Sequence, residues 1–420
     1  MTTLAGSLQP SFGRDGADGA LDGVPVPSML TCKRSEPAAI PLPRHRLYAS
    51  EIFWTSRHAR GHPLAIPRVS LAVDLCRALD WLPDGEYCEA MPATPDELAR
   101  FHDRAYIRAV IEAERDAAVS DEVKNRYNLG VNGNPVYGEV FRRPAMACGA
   151  SIAAAQQVAD NGGIAFNPTG GTHHGLRARA SGYCIFNDPV LTILALRDRG
   201  IGRIVYLDLD AHFGDGVQEA FAADDDVLTI SVHEAGRWPM ARGGAVDDGP
   251  GGVLDRAGGT ALNLPVPAGG GDDEFALLTD EVILPAIEAA TPDAIVLQCG
   301  CDALADDPMT RLALSNRALW RTVDLVRGMT GRLVVLGGGG YNPYAVGRCW
   351  AGIWGVLTGR ILPSRLPAAA TALLQGVRWT HRLGRVPDPR WLTTLADPPR
   401  PGGIRDEVRA LARLAQGFGR

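Results

Sequence analysis

Short apolar runs that stop abruptly at polar or glycine-rich residues set the architecture of this chain. Four of them, at 204–207, 227–230, 294–297 and 333–336, are rich in β-branched and other large apolar residues, and a fifth is Ile164-Ala165-Phe166. Runs without alternation belong to strands buried on both faces, which points to a parallel sheet covered by helices. Three- and four-residue periodicity predicts helices over 69–82 and 95–113, an Ala-rich one over 144–159, and others over 189–199, 274–290, 315–329 and 345–357. The stretch 125–137 is rich in Asn and Gly and reads as a loop. The expected fold is α/β: one domain over 44–420, with a central, mostly parallel sheet flanked by helices on both faces. Ligands of such sheets sit beyond the carboxyl ends of the strands, and that is where the unusual polar residues of this chain lie.

Residues 1–43, rich in Gly, Pro, Asp, Ser and Ala and without periodicity, are expected to be a mobile extension. The region 363–420 contains Pro, Arg and Trp and ends in a short helix. The formal net charge is −6, and the 42 Lys plus Arg form no basic run, which speaks against nucleic acid as a partner. The eight cysteines include no CxxC pair. The N-terminus shows no basic segment leading into an apolar one, and no apolar run approaches the ~20 residues that cross a bilayer. The expectation is a cytoplasmic protein with reduced thiols and no membrane partner. Nothing in the sequence specifies an oligomeric state.

The chemistry concentrates after the 204–207 run, where the sequence reads Asp208-Leu209-Asp210-Ala211-His212-Phe213-Gly214-Asp215-Gly216. Side chains alternate along an extended chain, so Asp208, Asp210 and His212 point the same way. Such a group repels itself unless a cation lies within it. Asp302, after the 294–297 run, can supply a further oxygen. Asp210, His212 and Asp302 then form a three-ligand site open to water and a substrate oxygen. Any one of these carboxylates alone would be read as a helix cap; the set is not.

His173-His174 follows Gly170-Gly171. A metal hydrolase needs a base for the attacking water and an acid for the departing amine, and histidine serves both near neutral pH. Asp208 and Asp215 are the spare carboxylates that could orient the two rings. Gly337-Gly338-Gly339-Gly340 lets backbone approach a ligand closely, but no Lys-Ser/Thr follows, as a phosphate-binding loop requires. The hydroxyl of Tyr341, next in the chain, could donate to a carbonyl oxygen that becomes an oxyanion.

Taken together these segments resemble the arginase/deacetylase fold, and within it the histone deacetylases and the bacterial acetoin-utilisation-type deacetylases. The resemblance covers about 48–362. It rests on Gly171-Thr172-His173-His174, the 180–188 segment Ala-Ser-Gly-Tyr-Cys-Ile-Phe-Asn-Asp, the 208–216 segment, Gly300-Cys301-Asp302 with Asp307-Pro308-Met309, and the glycine run ending in Tyr341-Asn342. It implies hydrolysis of N-acyl amides, above all acetyl-lysine in proteins, with one zinc on Asp210, His212 and Asp302; iron would suit the same ligands. His174 would be the principal base and acid, oriented by Asp215. His173, oriented by Asp208, would assist, and Tyr341 would polarise the carbonyl. Gly182 and Tyr183 would line the acyl-lysine tunnel, with Trp238 opposite. A potassium ion would involve Asp208, Asp210, His212, Ser231 and Val232. Arg68 would line an internal acetate exit.

The chain departs from the family pattern at the tunnel. Tyr183 replaces a frequent Phe. At the rim Asn132 stands where an Asp commonly grips the substrate backbone, which weakens peptide recognition and raises the alternative of a small acylated amine. Met309 stands where some acetylpolyamine hydrolases carry Glu. A two-manganese ureohydrolase would need acids where Gly214 and Leu304 stand. A catalytically silent acyl-lysine reader is the remaining alternative.

Overall fold

Along each central strand, successive side chains enter two different cores. Val205 and Leu207, Ile295 and Leu297, and Leu333 and Val335 belong to one cluster. Their neighbours Ile204 and Tyr206, Ala294 and Val296, and Val334 and Leu336 belong to the other. Period-two alternation in a strand that is apolar at every position fills both faces, and this is why these runs show no polar alternation.

The computed structural model describes residues 45–59, 61–240 and 249–417. The expected extension over 1–43 lies outside them. The strands are β1 (His45–Ala49), β2 (Tyr87–Glu89), β3 (Gly163–Asn167), β4 (Ile204–Asp208), β5 (Val227–Glu234), β6 (Ala261–Val266), β7 (Ala294–Gln298) and β8 (Arg332–Leu336). They form one sheet in the order β2-β1-β3-β8-β7-β4-β5-β6, with every neighbouring pair parallel. The helices Val69–Ala78, Asn316–Val326 and Pro343–Leu357 contribute to the first core. Arg104–Asp116, Arg142–Asn161 and Asp188–Asp198 contribute to the second. The expected helix-flanked α/β sheet is what the chain forms.

Local chemistry moved several boundaries. The helix expected over 69–82 ends at Ala78, because Asp80 takes a left-handed conformation (φ 54°) and Trp81 N donates to Cys76 O at 2.9 Å, closing the end as a Schellman turn. The helix expected over 95–113 is two: Pro95–Leu98, started by a Thr94–Glu97 capping box, and Arg104–Asp116. The first residues of the expected 125–137 loop complete the helix Asp121–Tyr127, capped by Ser120. β1, β2 and β6 went unrecognised; β2 is three residues long, and β6 carries Asn263 and Pro265.

The break between Leu98 and Arg104 turns His102 inward, leaving it 2% exposed. Its Nδ1 lies 3.1 Å from Leu176 O and 3.2 Å from Arg177 O, and its Nε2 accepts from Asn187 N at 2.9 Å. Burial holds the ring's pKa down to about 4, against the pull of those two carbonyls. A second ring proton would face the Asn187 N–H. The unfolded chain binds that proton below its ordinary value near 6.5, so this contribution to stability is complete above pH ~6.5 and lost as pH falls towards ~4. His102→Phe keeps the aromatic packing but orphans Asn187 N, and should cost about 1–3 kcal/mol near neutral pH. Urea unfolding of both proteins near pH 7 and near pH 5 should show the difference shrinking at the lower pH. An undiminished difference would mean that His102 acts through packing alone.

Candidate active site

Four adjacent strands, β3, β8, β7 and β4, deliver the polar residues from their carboxyl ends. β3 leads into His173 and His174, β8 into the glycine run and Tyr341, β7 into Asp302, and β4 ends at Asp208 and leads into Asp210 and His212. Neighbouring parallel strands bring their ends to one edge of the sheet, so residues far apart in sequence converge there.

Asp210, His212 and Asp302 are buried, and one donor atom from each lies within 4.8 Å of the others. Each carboxylate has one oxygen committed to backbone of another segment: Asp302 Oδ1 accepts from Ala211 N at 2.9 Å, and Asp210 Oδ2 from Gly339 N at 2.6 Å, while Asp210 Oδ1 also accepts from His212 N at 3.0 Å. The other two face His212 Nδ1, at 2.9 Å from Asp302 Oδ2 and 3.2 Å from Asp210 Oδ1. Burial disfavours a charged His212, but the two carboxylates outweigh it and lift the ring's pKa to about 10. The pocket therefore demands positive charge, which a ring proton or a metal ion can provide. The donor set fits an ion with mixed nitrogen and oxygen preference. Glycine is required around it: a Cβ on Gly300 would collide with Asp210 Oδ2, and one on Gly339 with Asp302 Oδ2.

His173 Nδ1 is 2.6 Å from Asp208 Oδ2, His174 Nδ1 is 2.7 Å from Asp215 Oδ1, and the two Nε2 atoms are 2.9 Å apart. With each Nδ1–H committed to a carboxylate, that gap accommodates a single proton. Burial lowers the pKa of His173, but Asp208 and Asp210 overcome it and bring it to about 9. Burial lowers His174 as well, and the neighbouring His173 adds to the effect, so that Asp215 recovers only part and the value rests at about 4. Tyr206 Oη donates to Asp208 Oδ2 at 2.8 Å, steadying the carboxylate behind His173.

Tyr341 lines two connected spaces with His174, His212, Gly182 and Tyr183: an inner pocket, and a mouth that adds Asn132, Trp238 and Met309. Its backbone N donates to Asp307 Oδ2 at 2.6 Å. Burial and nearby Asp302 push its hydroxyl pKa far up, so it stays a donor. Trp238 stands edge-on to His174 with ring centroids 4.7 Å apart. Gly182 has φ 54°, and a Cβ there would strike the His174 ring. Arg68 lies behind the site and donates to Gly338 O at 2.7 Å. Of the residues expected around potassium, Asp208 and Ser231 are register partners across β4 and β5, with Val232 next to them. His233 Nε2 is bonded to Gly251 O at 2.9 Å, so its Nδ1 accepts from Ser231 Oγ at 2.9 Å.

The sequence reading missed the support beneath the histidine pair. Asp188 Oδ2 accepts from Gly171 N at 3.0 Å and its Oδ1 from Thr172 N at 2.8 Å. Asn187 Nδ2 donates to His173 O at 3.1 Å and to Gly175 O at 2.8 Å. His102 in turn fixes Asn187. Asn187-Asp188 was visible as part of the 180–188 segment but carried no assigned role; His102 had no local signal at all.

The chain matches the histone deacetylase domain over residues 62–357. It is 32% identical to Acetoin utilization protein AcuC of Bacillus subtilis over 312 residues, 73% of this chain and 80% of that protein. It is also 32% identical to Putative histone deacetylase 2 of Caenorhabditis elegans over 314 residues, 74% of this chain but only 60% of that protein. The crystal structure of an HDAC homolog from Aquifex aeolicus resembles it with a TM-score of 0.81 and 36% identity, covering 89% of this chain and 99% of that one. A crystal structure of an HDAC homolog complexed with SAHA gives 0.82 and 36%, with 89% and 100% covered. By this domain match, and by the parallel sheet whose strand ends gather the two histidines with the Asp210, His212 and Asp302 cluster, the chain belongs to the histone deacetylase family.

Proposed function

We propose that the chain is a zinc-dependent amidohydrolase that removes acyl groups from amines, with acetyl-lysine in proteins as its leading substrate. One observation carries the reading: a carboxylate-backed histidine pair, a Tyr hydroxyl donor, and Asp210 and His212 of the buried Asp-His-Asp cluster line one pocket. Asp210, His212 and Asp302 would hold the ion. When bound there, zinc supplies Lewis acidity that polarises the acyl carbonyl and acidifies water.

The protein's own groups do the rest. His174, held neutral, takes the proton of the attacking water and later gives it to the departing amine nitrogen. Asp215 keeps its Nδ1 protonated and so leaves Nε2 as the working atom. His173, fixed by Asp208, presents positive charge or a shared proton beside that atom. Tyr341 donates to the carbonyl oxygen as negative charge develops on it. Gly182, Tyr183, Trp238 and Met309 line the approach of the amine-bearing arm.

A small acylated amine is the second reading, supported by Asn132. Its Nδ2 donates to Asn128 Oδ1 at 2.8 Å, and it lacks the charge with which an Asp would hold two backbone N–H groups. The ureohydrolase alternative is disfavoured by Gly214 and buried Leu304. A cytoplasmic setting remains part of the proposal. It is supported by the free thiols of Cys76, Cys88, Cys148, Cys184, Cys299, Cys301 and Cys349. Among the described residues no helix is long and apolar enough to cross a membrane.

On an acetyl-lysine fluorogenic peptide, Tyr341→Phe and His174→Ala should each lower kcat on the order of 10²–10³-fold in zinc-loaded protein. An inert wild type would turn attention to acetylated diamines, and full activity in either variant would remove that residue from the mechanism. Independently of turnover, zinc at about 100 times its Kd should stabilise the chelator-treated protein by about 2.7 kcal/mol. Asp302→Ala should abolish that gain in a thermal melt; an unchanged gain would place the ion elsewhere.

A further inference from the structure

Behind the inner pocket lies a second cavity of about 60 Å³. It shares Leu64, Arg68, Thr172 and Tyr183 with the pocket that contains the histidine pair. Its space corresponds to a few water molecules, roughly a carboxylate with one or two methylenes. Arg143, His58 and His62 also line it, and no carboxylate does. Among the described residues neither Arg68 nor Arg143 forms an ion pair. Arg68 donates to Gly338 O and, at 3.5 Å, to Gly340 O while lying over Trp350, and Arg143 donates to Ser56 O at 3.2 Å while stacking over Phe53.

The imidazoles sharpen the imbalance. His62 is satisfied, with Nε2 3.0 Å from Gly133 O and Nδ1 accepting from Leu64 N at 3.1 Å. His58 Nδ1 is buried without any hydrogen-bond partner. Burial, followed by the charges of Arg143 and its neighbours, keeps His58 neutral. Two guanidiniums and an idle ring nitrogen line a space whose wall holds no carboxylate; the acids nearest to their charges, Asp302 and Asp210 for Arg68 and Glu139 for Arg143, lie outside it. A buried charge without a partner is costly, and a guanidinium is matched in shape by a carboxylate.

Resting on the deacylase reading above, we infer that this cavity receives the far end of an acyl group that itself ends in a carboxylate, so that half-amides of short dicarboxylic acids, such as succinyl- or glutaryl-lysine, are substrates. The acyl carbonyl would stay at Tyr341 while the chain runs past Leu64 to Arg143. Arg143 is the specificity residue; it touches neither the histidine pair nor the Asp-His-Asp cluster. In the hydrolysis, water oxygen bonds to the acyl carbon and the C–N bond breaks with its electron pair on nitrogen. Nitrogen takes one water proton, and the new acid's proton passes on to it, leaving an ammonium and a dicarboxylate dianion. No other reactant is needed.

The test compares zinc-loaded wild type, Arg143→Met and Arg143→Lys on one peptide carrying acetyl-, butyryl-, succinyl- or glutaryl-lysine. The expected result is succinyl or glutaryl turnover by wild type, with the kcat/KM ratio of carboxylated to acetyl substrate falling on the order of tenfold or more in Arg143→Met. Arg143→Lys should recover part of that ratio. Free succinate, but not butyrate, should raise the melting temperature of wild type and not of Arg143→Met, a readout that needs no turnover. Circular dichroism establishes that the variants fold. Acetyl turnover with succinyl and glutaryl peptides refused by wild type would overturn this inference alone. Refusal of all four would overturn it together with the deacylase reading.

Discussion

Negative charge buried at the carboxyl ends of β4 and β7 is the constraint on which the rest of the site depends. Asp208, Asp210 and Asp302 are each at most 1% exposed, and an uncompensated carboxylate in such surroundings costs several kcal/mol. Each is answered by named donors. Asp208 faces His173 and Tyr206, Asp210 faces Gly339 N and His212, and Asp302 faces Ala211 N and His212. These partners come from β3, β4, β8 and the segments after them, so the carboxylates lock the strand ends together. The glycines at 300 and 339 follow from the same need, since only a backbone without Cβ can approach those oxygens. The fold and the site are one solution to a charge problem.

The same charges divide the labour of the histidine pair. The rings are adjacent in sequence, and each has a carboxylate at Nδ1. Yet one is pushed to about 9 and the other to about 4. Asp208 is fully buried, whereas the Asp215 side chain is 25% exposed, and a charge in dry surroundings acts more strongly than one wetted by solvent. His173 has Asp210 near it as well, at 3.9 Å. The asymmetry arises from where the carboxylates sit, Asp208 at the buried end of β4, Asp210 just beyond it and Asp215 at the start of a helix, and from the effect of His173 on its neighbour, rather than from any difference between the rings themselves.

What could be read in the sequence followed physical reach. β4, β7 and β8 are buried on both faces, and the apolar composition this demands is unmistakable; Asp208, Asp210 and Asp302 follow directly from those strands. β2, three residues at the sheet edge with only partial burial, needs no such composition and leaves no pattern. β6 shows the limit from the other side: Asn263 is tolerated because its side chain donates to Gln218 Oε1 and Asp255 O, contacts that no local window contains. The break before Arg104 likewise depends on Asp103 N reaching Arg177 O, 74 residues on. His102 belongs to the same class, since its value lies in an acceptor for Asn187 N that only the folded chain brings near.

Tyr183 shows how the remaining specificity is built. It lines the mouth, the inner pocket and the cavity behind. It follows Gly182 in a left-handed conformation, φ 69°, which for a residue with a Cβ costs on the order of 1–3 kcal/mol and persists only where the surroundings enforce it. Here they do. Its N–H donates to Asn134 Oδ1 at 3.0 Å, His62 stands edge-on to its ring at 4.7 Å, and Gly133 leaves room that a Cβ would take. A wall held against its own backbone preference can be thin and still not yield. Tyr183 thus borders both the mouth, with Asn132, Trp238 and Met309, and the cavity lined by Arg68 and Arg143. Either side can change its side chains without disturbing the buried carboxylates, and so the proposed deacylase chemistry is compatible with substrates as different as a protein lysine and a small acylated amine.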